Sequence, residues 1–178
     1  MRIARLGLLN KEKPAVLVSD TEAVFVDDLV ADFNRTELEN GAIAKIQKAD
    51  LTQRSKVKIA DFRIGSPVAR PTKVICVGLN YAKHAIESGM TPPPEPVIFM
   101  KAPDTVIGPN DDVIVPPNST KTDYEVELCV VIGKNALYLK PFLPSFHPTL
   151  LSGFHLTFLS DFSSNLPLRL SSNVPLRF

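Results

Sequence analysis

Short apolar runs alternate with polar breaks over the first third of the chain. "RIARLGLL", "PAVLVSD" and "AVFVDDLV" follow one another, divided by Gly, Asn, Ser and Asp. That punctuation predicts a few short strands of a small β-rich region spanning residues 1–65. "TELENGAIAKIQKADL" changes the rhythm: Ile43, Ile46 and Leu51 recur at helical spacing, and Gly41 weakens the helix they predict. Behind Pro71, the stretch from Lys73 to Leu79 is dense in β-branched residues and predicts a buried strand. The period then shifts again. Asn80 suits an N-cap, residues 81–88 are good helix formers and Gly89 is a natural stop, so "NYAKHAIESG" predicts one or two helical turns.

The prolines of "TPPPEP" impose an extended linker. Beyond it, "VIFMK", "DTVIG" and "DVIVPP" predict three short strands, divided by the turn stretches "GPNDD" and "PPNST". "DYEVELCVVIGK", residues 123–134, predicts one more. Alternation along that strand sends Glu125, Glu127 and Cys129 to one face and Tyr124, Val126, Leu128 and Val130 to the other.

Composition narrows the classes. The chain has 178 residues, 44% of them hydrophobic and 22% charged, which allows one sizeable core with a small appendage. Twenty basic residues against nineteen acidic ones give a formal charge of +1, without the basic footprint that nucleic acid or an anionic membrane demands. Lys11, Glu12 and Lys13 interrupt any apolar leader at the N-terminus, and no apolar run approaches a membrane span, so the expected location is cytoplasmic. Cys76 and Cys129 lack metal-ligand spacing and read as buried free thiols.

Two pairs of residues carry candidate chemistry. His84 and Glu87 are three apart on the predicted helix and share a face. An imidazole held by a carboxylate is oriented and made more basic, which is how a general base is assembled, although the same spacing also describes a solvated helix face. Glu125 and Glu127 would project side by side from their strand. Two such carboxylates either face water or, if enclosed, need a cation to neutralise them. An all-oxygen donor set suits a hard ion, Mg2+ first, and Mn2+ or Ca2+ accept the same donors.

The segments "KVICVGLNYAKHAIESG", "EPVIFMK", "GPNDDVIVP" and "DYEVELCVVIGK", in that order, resemble the catalytic domain of the fumarylacetoacetate hydrolase family. The likeness is greatest to its acylpyruvate hydrolases, diketo-deoxy-sugar-acid hydrolases and related domain-containing members, and it runs from about residue 70 to 134. It implies a mainly β (α+β) fold, a mixed-sheet roll preceded by the small β-rich region, and commonly a homodimer. By the same resemblance, Glu125 and Glu127 match the family's ExE metal pair, and His84 and Glu87 match the water-activating dyad of its short lid helix. The implied substrate is a small β-dicarbonyl acid cleaved at a C–C bond, with oxaloacetate decarboxylation as neighbouring chemistry.

The tail departs from this pattern. The family continues to a segment whose aspartate is the third metal ligand, whereas residues 135–178 carry no glutamate, prolines at 141, 144, 148, 167 and 175, and the near-duplicates "SSNLPLRL" and "SSNVPLRF". Such a stretch predicts no stable amphipathic element and reads as an aberrant, poorly ordered ending on a truncated catalytic domain. Asp161 is a candidate third ligand, but it falls late and without the flanking pattern. His147 and His155 are given no role. An inactive fragment with a partial metal site is therefore the alternative to an active hydrolase.

Overall fold

The computed structural model describes residues 1–122, 124, 126–135 and 137, together with the backbone of a strand at 154–158. Four strands, β1 (Arg2–Leu6), β2 (Lys13–Leu17), β3 (Glu22–Phe25) and β4 (Lys56–Lys58), form an antiparallel meander in the order β1-β2-β3-β4. Register is fixed by the buried alternation, with Ile3 opposite Val16, Ala4 opposite Ala15, and Val16 opposite Val24.

Two short helices, α1 (Arg35–Glu39) and α2 (Ala42–Lys48), lie between β3 and β4 in sequence. The single helical period of the sequence is thus cut in two. Gly41 sits at φ 81°, a left-handed conformation that ends one helix and opens the next, and this is why the residue interrupts the pattern. Asn34 caps α1, its Oδ1 accepting the Glu37 N–H at 3.0 Å.

The helices cover one face of the sheet, where Phe33, Ile43 and Ile46 join Val16, Val24, Val26 and Val30 in one core. Each large side chain buried there contributes about 1.5–3 kcal/mol. Ala4, Leu6, Ala15 and Ala23 form a second cluster, against which Phe25 and Phe62 pack edge to face with centroids 5.5 Å apart.

Beyond residue 70 come β5 (Val74–Gly78), α3 (Ala82–Glu87), β6 (Val97–Lys101) and β7 (Leu128–Ile132). β5 pairs with β6, and β7 pairs with β8 (Phe154–Phe158), each pair an antiparallel two-stranded sheet. The chain is mainly β with few helices, as the sequence predicts. β8 falls in the tail that shows no helical period, and its "FHLTF" composition, aromatic and β-branched, suits a strand. Val131 packs against the core of the N-terminal sheet.

Three expectations are corrected here. The strand behind Pro71 is not buried: Ile75 is 59% exposed, Val77 is exposed, and every residue of β6 is exposed, because no further layer of described residues covers this ribbon. Of the three strands expected after the proline linker, "VIFMK" forms. "DTVIG" instead begins within a 3-10 turn at Pro103–Thr105, and "DVIVPP" is irregular and exposed, Pro116 and Pro117 having no N–H to give a ladder. The cysteines are free but half-buried rather than enclosed. Burial first, and the neighbouring Cys76 second, push the Cys129 thiol up, which keeps it in the unreactive protonated form.

Candidate functional site

α3 carries the predicted His84 and Glu87. Tyr81, in extended conformation, occupies the N-cap position, and no side chain caps the helix, so Asn80 does not serve as expected. The stop at Gly89 is as the sequence predicts and has a full hydrogen-bonded form. Gly89 N–H donates to Ile86 O at 3.0 Å and Met90 N–H to Ala85 O at 2.8 Å, with Gly89 at φ 68°. Ala85 is the buried residue of this helix, while His84 and Glu87 are exposed. The two share a face, yet no hydrogen bond or ion pair joins them.

The acidic pair is described in part. Glu125 lies outside the described residues, as do Asp161 and His147. Glu127 is exposed and precedes β7, whose ladder starts at Leu128 opposite Phe158. Of the strand expected through both glutamates, the described part is the apolar half from Leu128 to Ile132, with Glu127 just before it. Among the described residues, no group of three or more His, Cys, Asp or Glu side chains is placed to hold a metal ion. The donor chemistry of the glutamates still fits a hard divalent cation, since carboxylate oxygens are its preferred ligands.

Sequence reasoning missed a charged ladder elsewhere. Arg5, 8% exposed, donates from Nε to Asp32 Oδ1 at 2.6 Å and from Nη2 to Asp32 Oδ2 at 3.0 Å. Its Nη2 also reaches Glu12 Oε2 at 3.3 Å, and Glu12 Oε1 accepts from Arg63 at 2.6 Å. The ladder borders a polar cleft of about 510 Å³ that Asn34, Thr36 and Arg70 also line. Burial works to raise the Glu12 carboxyl pKa but is outweighed by backbone N–H donors, Arg63 and Arg5, which together hold it below the ordinary carboxylate value. "R" at position 5 inside an apolar strand was the available signal, because a charge there needs a partner.

Residues 73–141 match the family model described as fumarylacetoacetate (FAA) hydrolase C-terminal. The chain is 39% identical over 139 residues to a 2,4-didehydro-3-deoxy-L-rhamnonate hydrolase of Sphingomonas sp., covering 78% of this chain and 47% of that protein. It is 43% identical over 105 residues to a mitochondrial oxaloacetate tautomerase of Bos taurus, covering 58% of this chain and 33% of that protein. Among solved structures, an HpcE-like protein from Mycobacterium smegmatis matches with TM-score 0.57 and 32% identity, over 75% of this chain and 46% of the other. The chain spans about half the length or less of the relatives it matches. The stretch similar to the fumarylacetoacetate hydrolase family holds His84, Glu87, Glu125 and Glu127. No helix among the described residues is long and apolar enough to cross a membrane.

Proposed function

We propose that the protein is a metal-dependent hydrolase that cleaves a C–C bond in a β-dicarbonyl acid of the acylpyruvate or diketo-deoxy-sugar-acid type. The family match over 73–141, which takes in all four candidate residues, carries this reading. Glu125 and Glu127 would hold Mg2+, or Mn2+ or Ca2+, and the ion's charge would favour the enolate released when the bond breaks. His84 takes the proton from the attacking water. Glu87 orients the imidazole once the helix meets substrate, since catalytic hydrogen bonds are often absent before binding. A helix anchored by the single small side chain of Ala85 can shift without disturbing a core.

A second reading keeps the metal pair but no turnover in this chain. The apolar surface of Ile75, Val77, Phe99 and Met100, exposed among the described residues, favours it, because a site built beside so exposed a ribbon is poorly held. The two readings part in an assay of the purified chain with an acylpyruvate, and with oxaloacetate, in Mg2+ beside the Glu125→Ala variant. Turnover that the variant loses supports the hydrolase; equal background rates in both support the inactive form. A cytoplasmic homodimer, free of nucleic acid and membrane, completes the proposal, and gel filtration of the full chain tests its oligomeric part.

A further inference from the structure

The turn at "GPNDD" is tied to the N-terminal sheet by groups that the proposed chemistry does not use. Arg63 commits its whole guanidinium. Nε donates to Asp111 Oδ1 at 2.7 Å, Nη2 donates to Asp111 Oδ2, and Nη1 donates to Glu12 Oε1 at 2.6 Å. Such a two-pronged grip fixes orientation as well as distance.

Both ends of the grip are themselves fixed. Arg63 O accepts the Gly7 N–H at 3.0 Å, Gly65 N–H donates to Arg5 O at 2.8 Å, and Leu6 faces Ile64 in an antiparallel bridge, so the residue is held along the edge of β1. On the other side, Asp111 Oδ2 accepts the Gly108 N–H at 2.7 Å while Asp111 N–H donates to Gly108 O at 3.1 Å. The carboxylate that Arg63 holds is therefore also the one that closes the turn. Two glycines allow the approach. A Cβ at Gly108 would overlap the Ile64 carbonyl oxygen, and one at Gly65 would lie 2.8 Å from Glu12 Cγ.

The ladder is graded from inside to outside. The Glu12 side chain is 5% exposed, whereas that of Asp111 is 23% exposed, and residues 112–120 beyond it are all exposed. We propose that Arg63 and Asp111 form a latch that docks the Gly108–Asp111 turn on the N-terminal sheet and that opens as a local unit, releasing the turn while the sheet stays folded. The latch is independent of the catalytic reading.

Acid opens it. The Arg63 hydrogen bonds foremost, against some desolvation, hold the Asp111 carboxyl below its ordinary pKa, so the grip persists at neutral pH and fails when Asp111 takes up a proton. The charged groups around the latch are Arg5, Glu12, Asp32 and Asp112, with Arg35, Arg70 and Asp104 along the adjoining cleft.

Amide hydrogen exchange on the full chain at pH 7 tests this. Asp111→Asn keeps an oxygen for the Gly108 N–H but removes the charge, and should lower the protection factor of Gly108 and its turn by about tenfold or more, as expected for losing a charge-assisted pair. Arg63→Met should do the same. Asp112→Asn, an exposed carboxylate that accepts none of the Arg63 hydrogen bonds, should change nothing, and amides within β2 and β3 should keep their protection throughout. Unchanged protection at the turn in Asp111→Asn and Arg63→Met overturns the latch, as does an equal loss in Asp112→Asn or a loss spread evenly over β2 and β3.

Discussion

His84 and Glu87 stand on one exposed face of α3, three residues apart, with no hydrogen bond between them. The pair is accessible and unassembled. In the proposed mechanism the pair would acquire its geometry only when substrate meets the helix, so its weight should show in turnover rather than in folding. His84→Ala should lower kcat on an acylpyruvate by about 10²–10⁴-fold, the usual worth of a general base, and leave the melting temperature within a degree or so. Steady-state kinetics beside a thermal melt checks both halves.

The stop of α3 can be probed apart from its chemistry. Gly89→Ala forces a Cβ into a left-handed conformation at φ 68°, with nothing within 4 Å to clash, so the cost is backbone strain alone. That cost is about 1–2 kcal/mol. Faster exchange of the Met90 amide, whose bond to Ala85 O closes the motif, is the expected outcome.

Arg5 offers the largest single effect on stability. Arg5→Met removes both bonds to Asp32, one to Glu12 and one to the Ser66 carbonyl, leaving Asp32 with the Phe33 N–H and Glu12 with Arg63. Removing one partner of a buried pair costs about 3–5 kcal/mol, and the lower end is expected here because Glu12 keeps a cation. Urea unfolding followed by circular dichroism measures it.

Glu12 and Asp111 set a pH dependence of known sign. Both have folded pKa values below their ordinary ones, so the native state binds fewer protons than the unfolded chain near those values. Their stabilisation is complete above the unfolded carboxylate values, about 4, and is lost as pH falls through the lower folded values. Unfolding midpoints should therefore stay flat from pH 7 to about 5 and fall below that, and the double variant Glu12→Gln/Asp111→Asn should flatten the acid limb.

Much of the fold was legible because its elements are local. The strands of the N-terminal meander follow their apolar runs, and Gly41 and Gly89 act where a left-handed residue was needed. The two halves of the helix around Gly41 were harder to see, since the period of Ile43 and Ile46 lies wholly within α2 and does not mark where α1 ends. Burial was the least legible property: "KVICVGL" reads as an enclosed strand, but enclosure depends on what packs against it, and its described neighbour β6 is itself exposed. The same reason limits the site. Residue types and spacing only nominate His84, Glu87, Glu125 and Glu127, and the family resemblance singles them out, while the ladder of Arg5, Glu12 and Arg63 depends on contacts between residues up to 51 positions apart, which no local pattern reveals.

The charge of a divalent ion between two neighbouring carboxylates is the point on which the functional account turns. Isothermal titration of the full chain with MgCl2, run beside Glu125→Ala and Glu127→Ala, reads it directly. The account predicts saturable uptake at one site per chain in the parent protein, abolished in either variant. Absence of Mg2+, Mn2+ and Ca2+ uptake by the parent, or uptake that both variants retain unchanged, would contradict it.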